Sequence, residues 1–192
     1  MKETLTLKKV QLSIVAIAMA AIVALGMSAF ATQAAYAEDA LPYGDTATKT
    51  IKGVKYTFIN INSTPGVGVK AVKADKSVKS ITVPATVKIN GQTYKVTQIR
   101  KGAFKNTSAT KVVLSKNVKS LKAGAFKGSK VKTVVTKSKL FKKANTKNCF
   151  KNSKVTTLKV KIGSASVNKK YVKTYKKVFT KANAGKKVTV KK

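Results

Sequence analysis

The chain has 192 residues, with 41 Lys and Arg against five Asp and Glu, no histidine and a formal net charge of +36. The lack of histidine removes the commonest general base and metal ligand, and Cys149, as the only cysteine, leaves neither a Cys/His metal spacing nor an intramolecular disulfide. A charge this far from zero gives strong self-repulsion and a long-range field that attracts polyanions.

Residues 1–37 have the layout of a secretory signal peptide: Lys2, Lys8 and Lys9, an apolar run from Ile14 to Phe30, and the small-x-small site Ala35-Tyr36-Ala37. The apolar run is also close to spanning length, so an uncleaved anchor is the competing reading. Cleavage would leave a mature chain beginning at Glu38, with no transmembrane segment after it. Its length suits one domain or one short repeat array.

Residues 38–50 read as a flexible polar lead with Pro42 and Gly44. From Ile51 to Val72 the pattern becomes β, broken at Ser63-Thr64-Pro65-Gly66, and predicts an N-terminal β cap. Asn90-Gly91, between TVKI and QTYK, is a strong hairpin signal. It places Val87, Ile89, Tyr94 and Val96 on one side, in a hairpin that bulges from the first repeat as an insertion.

Between Val96 and Thr136 one phrase occurs twice: VTQIRKGAFKNTSATKVVLSKN, then VKSLKAGAFKGSKVKTVVTKSK. Phe104 and Phe126 occupy the same position, and a looser third copy carries Cys149, Phe150 and Lys151. Each Phe is followed by an apolar-x-x-apolar-x-apolar group: Ala109, Val112 and Leu114; Val131, Val134 and Thr136; Val155, Leu158 and Val160. Val78, Ile81 and Val83 form the same group upstream without a Phe. A unit this short cannot close a core alone. The period therefore implies stacked coils, each giving one short strand to a parallel sheet and its Phe to a shared interior column. Cys149 either fills the small buried position of Ala103 and Ala125 or is a reactive thiol.

These residues resemble the BspA-like class of bacterial leucine-rich repeats, whose unit reads L-x-x-L-x-L-P-x-x-L-x-x-I-x-x-x-A-F. The resemblance rests on VPATV at Val83 to Val87, VTQIRKGAF and VKSLKAGAF, and it extends from about Lys49 to Ile162. Departures are Thr136 at a strand Leu position, Cys149 in place of Ala, and KANTKNCF in place of an I-x-x-x-A-F phrase. The resemblance implies a non-enzymatic solenoid acting as a cell-surface binding or adhesion module, with an unknown protein or glycan ligand.

After Ile162, Tyr171, Val172, Tyr175, Val178 and Phe179 fall at helical spacing, with Gly185 where a helix would stop and a strand at Val188 to Val190. The expected architecture is thus a β-rich leucine-rich-repeat solenoid of short parallel strands with a turn or short-helix convex side. It divides into residues 51–95 (N-terminal β cap, first repeat strand and hairpin), 96–162 (repeats) and 163–192 (a helix-plus-strand cap). A basic amphipathic helix that binds membranes is the competing reading of the last segment.

The charge is uneven. No carboxylate side chain follows Asp75, whereas all but eight of the 41 basic residues do. Lys105, Lys127 and Lys151 each follow their Phe, so stacking places them in a ladder about 5 Å apart. That ladder is the candidate polyanion contact; the competing reading is an ordinary solvated lysine surface. A second candidate surface is the outward column of the strands, Thr82, Val113, Val135 and Lys159, beside Ser80, Lys111, Thr133 and Thr157.

With a single arginine, Arg100, and aromatics at core-periodic positions, no sequence-specific nucleic acid is expected. Cell-wall teichoic acids, anionic lipid headgroups or extracellular DNA are the polyanions in reach of an exported chain. The alternative function is therefore a polycationic envelope protein held to such polymers by charge. The chain carries no LPxTG signal and no apolar C-terminal tail, so wall attachment is expected to be non-covalent. No carboxylate pair lies in the repeats, and neither a cofactor nor an enzymatic activity is expected.

Overall fold

The computed structural model describes residues 40–61 and 66–192. The expected export signal and Ser63-Thr64-Pro65 lie outside them. By packing, the described residues fall into two groups, Ala40 with Asn90–Gln92, and residues 41–61 and 66–89 with 93–192. In the first group the described part is Ala40 and the Asn90–Gln92 turn, where Asn90 and Gly91 hold φ of 48° and 77°. Positive φ at both central residues is what a two-residue type I′ hairpin loop requires.

The second group is built on two sheets. Strands β1 (Thr46–Ile51), β2 (Val54–Asn60) and β3 (Gly66–Lys73) run antiparallel in sequence. Beside β3 lies β6 (Gln92–Ile99), parallel to it, flanked by β5 (Thr86–Ile89) and by the short β8 (Ser120–Leu121). The second sheet is wholly parallel: β4 (Ser80–Thr82), β7 (Lys111–Leu114), β9 (Thr133–Thr136), β10 (Thr157–Val160) and β11 (Thr189–Lys191) are neighbours in that order. A parallel sheet needs a crossover between each pair of strands. Here the crossover is the repeat itself, which leaves one sheet, turns through the Phe segment and enters the other one coil further on.

The Phe turns stack on one another. Phe104 and Phe126 lie with ring centroids 5.0 Å apart, and Phe126 and Phe150 5.5 Å apart. All three rings are fully buried. Their backbones are tied coil to coil, with the amide of Gly102 donating to Gly124 O at 3.0 Å and that of Gly124 donating to Asn148 O at 2.9 Å. Each buried ring contributes roughly 1.5–3 kcal/mol by area, and the ring pairs add about 0.5–1.5 kcal/mol.

Four expectations need correction. The lead at 38–50 is not free chain, because it contains most of β1. Leu41 is buried, its amide donates to Tyr94 Oη at 2.7 Å, and its carbonyl accepts from Asn60 Nδ2 at 2.5 Å. The Asn90-Gly91 hairpin is not an insertion bulging from the coil: β6 is both its second strand and the first repeat's own strand, and Val87, Ile89, Tyr94 and Val96 are all buried. The C-terminal helix stops before Gly185. α1 (Ala165–Val178) ends at Phe179, and a separate turn of helix, α2 (Lys181–Ala184), follows with Thr180 as its N-cap and Gly185 in the left-handed conformation after it. The final strand falls at Thr189–Lys191, one residue later than expected.

Candidate functional site

The turn face is set by backbone geometry. Gly102, Gly124 and Asn148 precede the Ala/Ala/Cys position at φ of 68°, 64° and 55°. Asn106, Gly128 and Asn152 follow the Lys position at φ of 64°, 71° and 56°. Only Gly, and Asn among the others, adopts this region readily. Between these two left-handed residues each Phe points inward and the following Lys outward: Lys105, Lys127 and Lys151 are all exposed. The carbonyls of Phe104, Phe126 and Phe150 accept from the hydroxyls of Thr107, Ser129 and Ser153 at 2.9, 2.8 and 2.8 Å. Sequence reading passed over that hydroxyl column, although its signal is present as Phe-Lys-Asn-Thr, Phe-Lys-Gly-Ser and Phe-Lys-Asn-Ser.

The ladder lysines are brought together in pairs. Lys105 and Lys127 line a depression of about 570 Å³ with Lys101 and Asn152. Lys127 and Lys151 line a neighbouring one of about 250 Å³, again with Lys101 and Asn152. Lys101, absent from the sequence-based candidates, thus joins both. The stem of Lys105 lies over Gly128, where a Cβ would sit 3.3 Å from Lys105 Cγ.

The sheet face is equally regular. Thr82, Val113, Val135 and Lys159 are paired in register across β4, β7, β9 and β10, and Lys191 of β11 extends the row. Ser80, Lys111, Thr133, Thr157 and Thr189 form the adjacent row. The residues between these rows, Ile81, Val112, Val134, Leu158 and Val190, are buried, which leaves the two rows outward. Thr136, the polar departure in β9, is also buried; its Oγ1 accepts from the amide of Ser138 at 3.0 Å.

Cys149 is fully buried at the Ala103 and Ala125 position. Burial pushes its thiol up to about 12, against the lowering effect of the Cys149 and Phe150 amides. A protonated, enclosed thiol is a poor nucleophile. Tyr56 is likewise pushed up to about 12 by burial, and its hydroxyl donates to Thr82 O at 2.7 Å, joining β2 to β4. Arg100 is half-buried over Gly68 and donates from Nη1 to Gln98 Oε1 at 3.0 Å. Among the described residues no group of three His, Cys, Asp or Glu is placed to hold a metal ion, and no helix is long and apolar enough to cross a membrane.

Residues 97–191 match the family model of a BspA type leucine rich repeat region, in six copies. No curated protein matches the sequence. Among solved structures, a leucine rich cell surface protein from Faecalibacterium prausnitzii shares 21% identity over 59% of this chain and 27% of its own length, at a TM-score of 0.40. A leucine-rich repeat protein from Bacteroides capillosus shares 20% identity over 58% of this chain and 80% of its own, at 0.41. The pneumococcal vaccine antigen PcpA shares 17% identity over 62% of this chain and 29% of its own, at 0.37. The chain therefore spans under a third of the first and third of these. Residues 97–191, in a β-rich fold with few helices, are thus a region of BspA-type leucine-rich repeats.

Proposed function

We propose that the chain is an exported, non-enzymatic binding module of the cell surface. In this reading it is a short solenoid whose ends are covered by β1–β2 and by α1 with β11. The observation that carries it is the in-register row Thr82, Val113, Val135 and Lys159 on a five-stranded parallel sheet. Of the four strands, β7, β9 and β10 are paired on both sides and β4 on one, so they present side chains at set spacing and give a stiff contact surface at small ordering cost. A mixed Thr, Val and Lys row suits a protein or glycan partner. The chemistry points the same way: the only described acids, Asp45 and Asp75, precede the Phe-bearing repeats. The test is to pull down cell-wall material and extracellular matrix proteins with the intact protein over a salt series. A partner held by shape stays bound as salt rises and is lost when Val113→Lys and Val135→Lys are combined; retention by that double variant removes the face from the reading.

A second reading, a polycationic envelope protein, is favoured by the pairing of Lys105 with Lys127 and of Lys127 with Lys151 in adjoining depressions. Its test is a Lys→Gln triple at Lys105, Lys127 and Lys151 against a control triple at Lys49, Lys52 and Lys55. Loss of three phosphate contacts flattens the dependence of log affinity on log salt by about 2 to 3 units. Equal slopes for ladder and control would mean that only net charge is sensed.

A further inference from the structure

We infer that the sheet face carries its own anion-binding strip, separate from the turn-face lysines, and that its ligand is a linear polymer of phosphodiester-linked polyols or sugars lying across the strands. The inference goes beyond the shape-held module reading by giving the same face a second, charge-held ligand class. Each coil supplies this face with one lysine: Lys79 just before β4, Lys111 in β7, Lys132 just before β9, Lys159 in β10 and Lys191 in β11. Lys79, Lys111, Lys132 and Lys159 surround a depression of about 370 Å³ together with Ser80, Thr110 and Thr133. None of these residues lines the turn-face depressions.

Adjacent strands are about 4.8 Å apart, so several ammonium groups lie within one Debye length, about 8 Å at physiological salt. No carboxylate side chain follows Asp75 in the sequence to offset them. A chain with a negative charge at every repeat unit, crossing the strands, would neutralise them in series.

The class of polymer follows from what accompanies the lysines. Lysine is a compact point charge that meets a phosphate oxygen without the planar fork needed to read a base edge. The single arginine is engaged with Gln98. The described phenylalanines and Tyr56, Tyr94 and Tyr175 are buried, and the two described tyrosines that are not, Tyr43 and Tyr171, lie off the strands of this sheet, before β1 and in α1, so its strands offer no platform on which bases could stack. Hydroxyls separate the two basic faces. On the turn face, Thr107, Ser129 and Ser153 donate inward to carbonyls, whereas Ser80 and Thr133 belong to the outward row beside Lys111. Lysine with an outward hydroxyl complements phosphate with an adjacent polyol hydroxyl.

The intact protein is titrated with poly(glycerol phosphate) and with inorganic polyphosphate of matched charge across a salt series. Lys111→Gln, Lys132→Gln and Lys159→Gln combined should flatten the log affinity against log salt slope by about 2 to 3 units, more than the Lys49, Lys52 and Lys55 control, and the matching Lys→Arg triple should restore it. Ser80→Ala with Thr133→Ala should weaken poly(glycerol phosphate) several-fold and leave polyphosphate unchanged. Thermal melts establish that each variant is folded. Equal slopes for strip and control overturn the strip and leave only a net-charge effect. Displacement of the polyol polymer by single-stranded DNA at equal phosphate overturns the ligand class. No binding at low salt overturns the strip, while leaving the module reading to the Val113 and Val135 test.

Discussion

The coils that carry Phe104, Phe126 and Phe150 and the last coil, 183–191, share a backbone but not a filling. The ladder from Gly102 to Gly124 to Asn148 continues without interruption: the amide of Asn148 donates to Asn183 O at 2.6 Å, and that of Phe150 donates to Ala184 O at 2.9 Å. Asn183-Ala184-Gly185-Lys186 therefore sits where Asn148-Cys149-Phe150-Lys151 sits one coil earlier. Yet Gly185 replaces the phenylalanine. The missing ring comes from elsewhere in sequence, since Phe179, at the end of α1, lies 5.6 Å from Phe150 with an interplanar angle of 25°. Phe179 also meets Phe141 and Tyr175 edge-on, and Tyr175 Oη donates to Ser138 O at 2.6 Å. Repetition thus fixes the hydrogen-bonded frame, and closing the end of the column requires only that some ring arrive at the same place.

The largest effect should come from breaking the column at its middle. Phe126 has a ring on each side, so Phe126→Ala should lower stability by roughly 4–5 kcal/mol, the upper part of the range for a buried Phe, in urea unfolding. Phe179→Ala leaves Phe150 with one neighbour fewer but removes a ring only at the end of the column, and roughly 3 kcal/mol is expected. A loss at Phe179 as large as at Phe126 would mean that the end of the column is as tightly packed as its centre.

A smaller pair of changes separates backbone conformation from space. Gly102 and Gly185 both hold positive φ, at 68° and 76°. A Cβ at residue 102 would meet nothing within 4 Å, whereas one at residue 185 would lie 2.9 Å from Lys151 Cβ. Gly102→Ala should therefore cost about 1–2 kcal/mol, from left-handed strain alone. Gly185→Ala should cost about 2–4 kcal/mol, because overlap is added. Equal losses in thermal melts would show that residue 185 moves freely away from Lys151.

These residues also mark where sequence reading stopped. Phe104 and Phe126 were legible because their surroundings repeat almost letter for letter at a fixed period. The third coil is two residues longer. Its excess forms a 3-10 turn at Lys143–Asn145, closed by the Lys142 amide donating to Asn145 Oδ1 at 2.8 Å, a local solution with no counterpart in the first two coils. Strand β1 was missed because most of TATKTI is exposed, so its sequence lacks apolar alternation. Its turn to β2, Lys52-Gly53, holds φ of 50° and 73° like Asn90-Gly91, but Lys is not a residue that announces such a turn. The rows of the sheet face followed from period 2 alone. The approach of Phe179 to Phe150, and of Lys101 to two ladder pairs, depends on tertiary placement that no local spacing encodes.

The smallest expected change sits beside the column, at Cys149. Ala103 and Ala125 fill the same position in the two preceding coils and are equally enclosed, so Cys149→Ala removes one sulfur from a site that the fold already closes with a methyl group. A loss of about 1 kcal/mol or less is expected, by the scale of small core deletions. The pH dependence is more telling. Burial holds the folded thiol at about 12, while in the unfolded chain it titrates near 8.5. The raised value means that the folded state keeps a proton the unfolded state gives up. The stabilisation is thus fully present below about pH 8.5 and is lost as pH rises through the folded value of about 12. Stability curves of the protein and of Cys149→Ala should therefore run parallel below that window and converge or cross within it, as only the cysteine chain loses stability from the thiol. Parallel curves throughout, or rapid labelling of the native thiol by a disulfide reagent at neutral pH, would show that the third coil opens at Cys149 where the alanine coils stay closed.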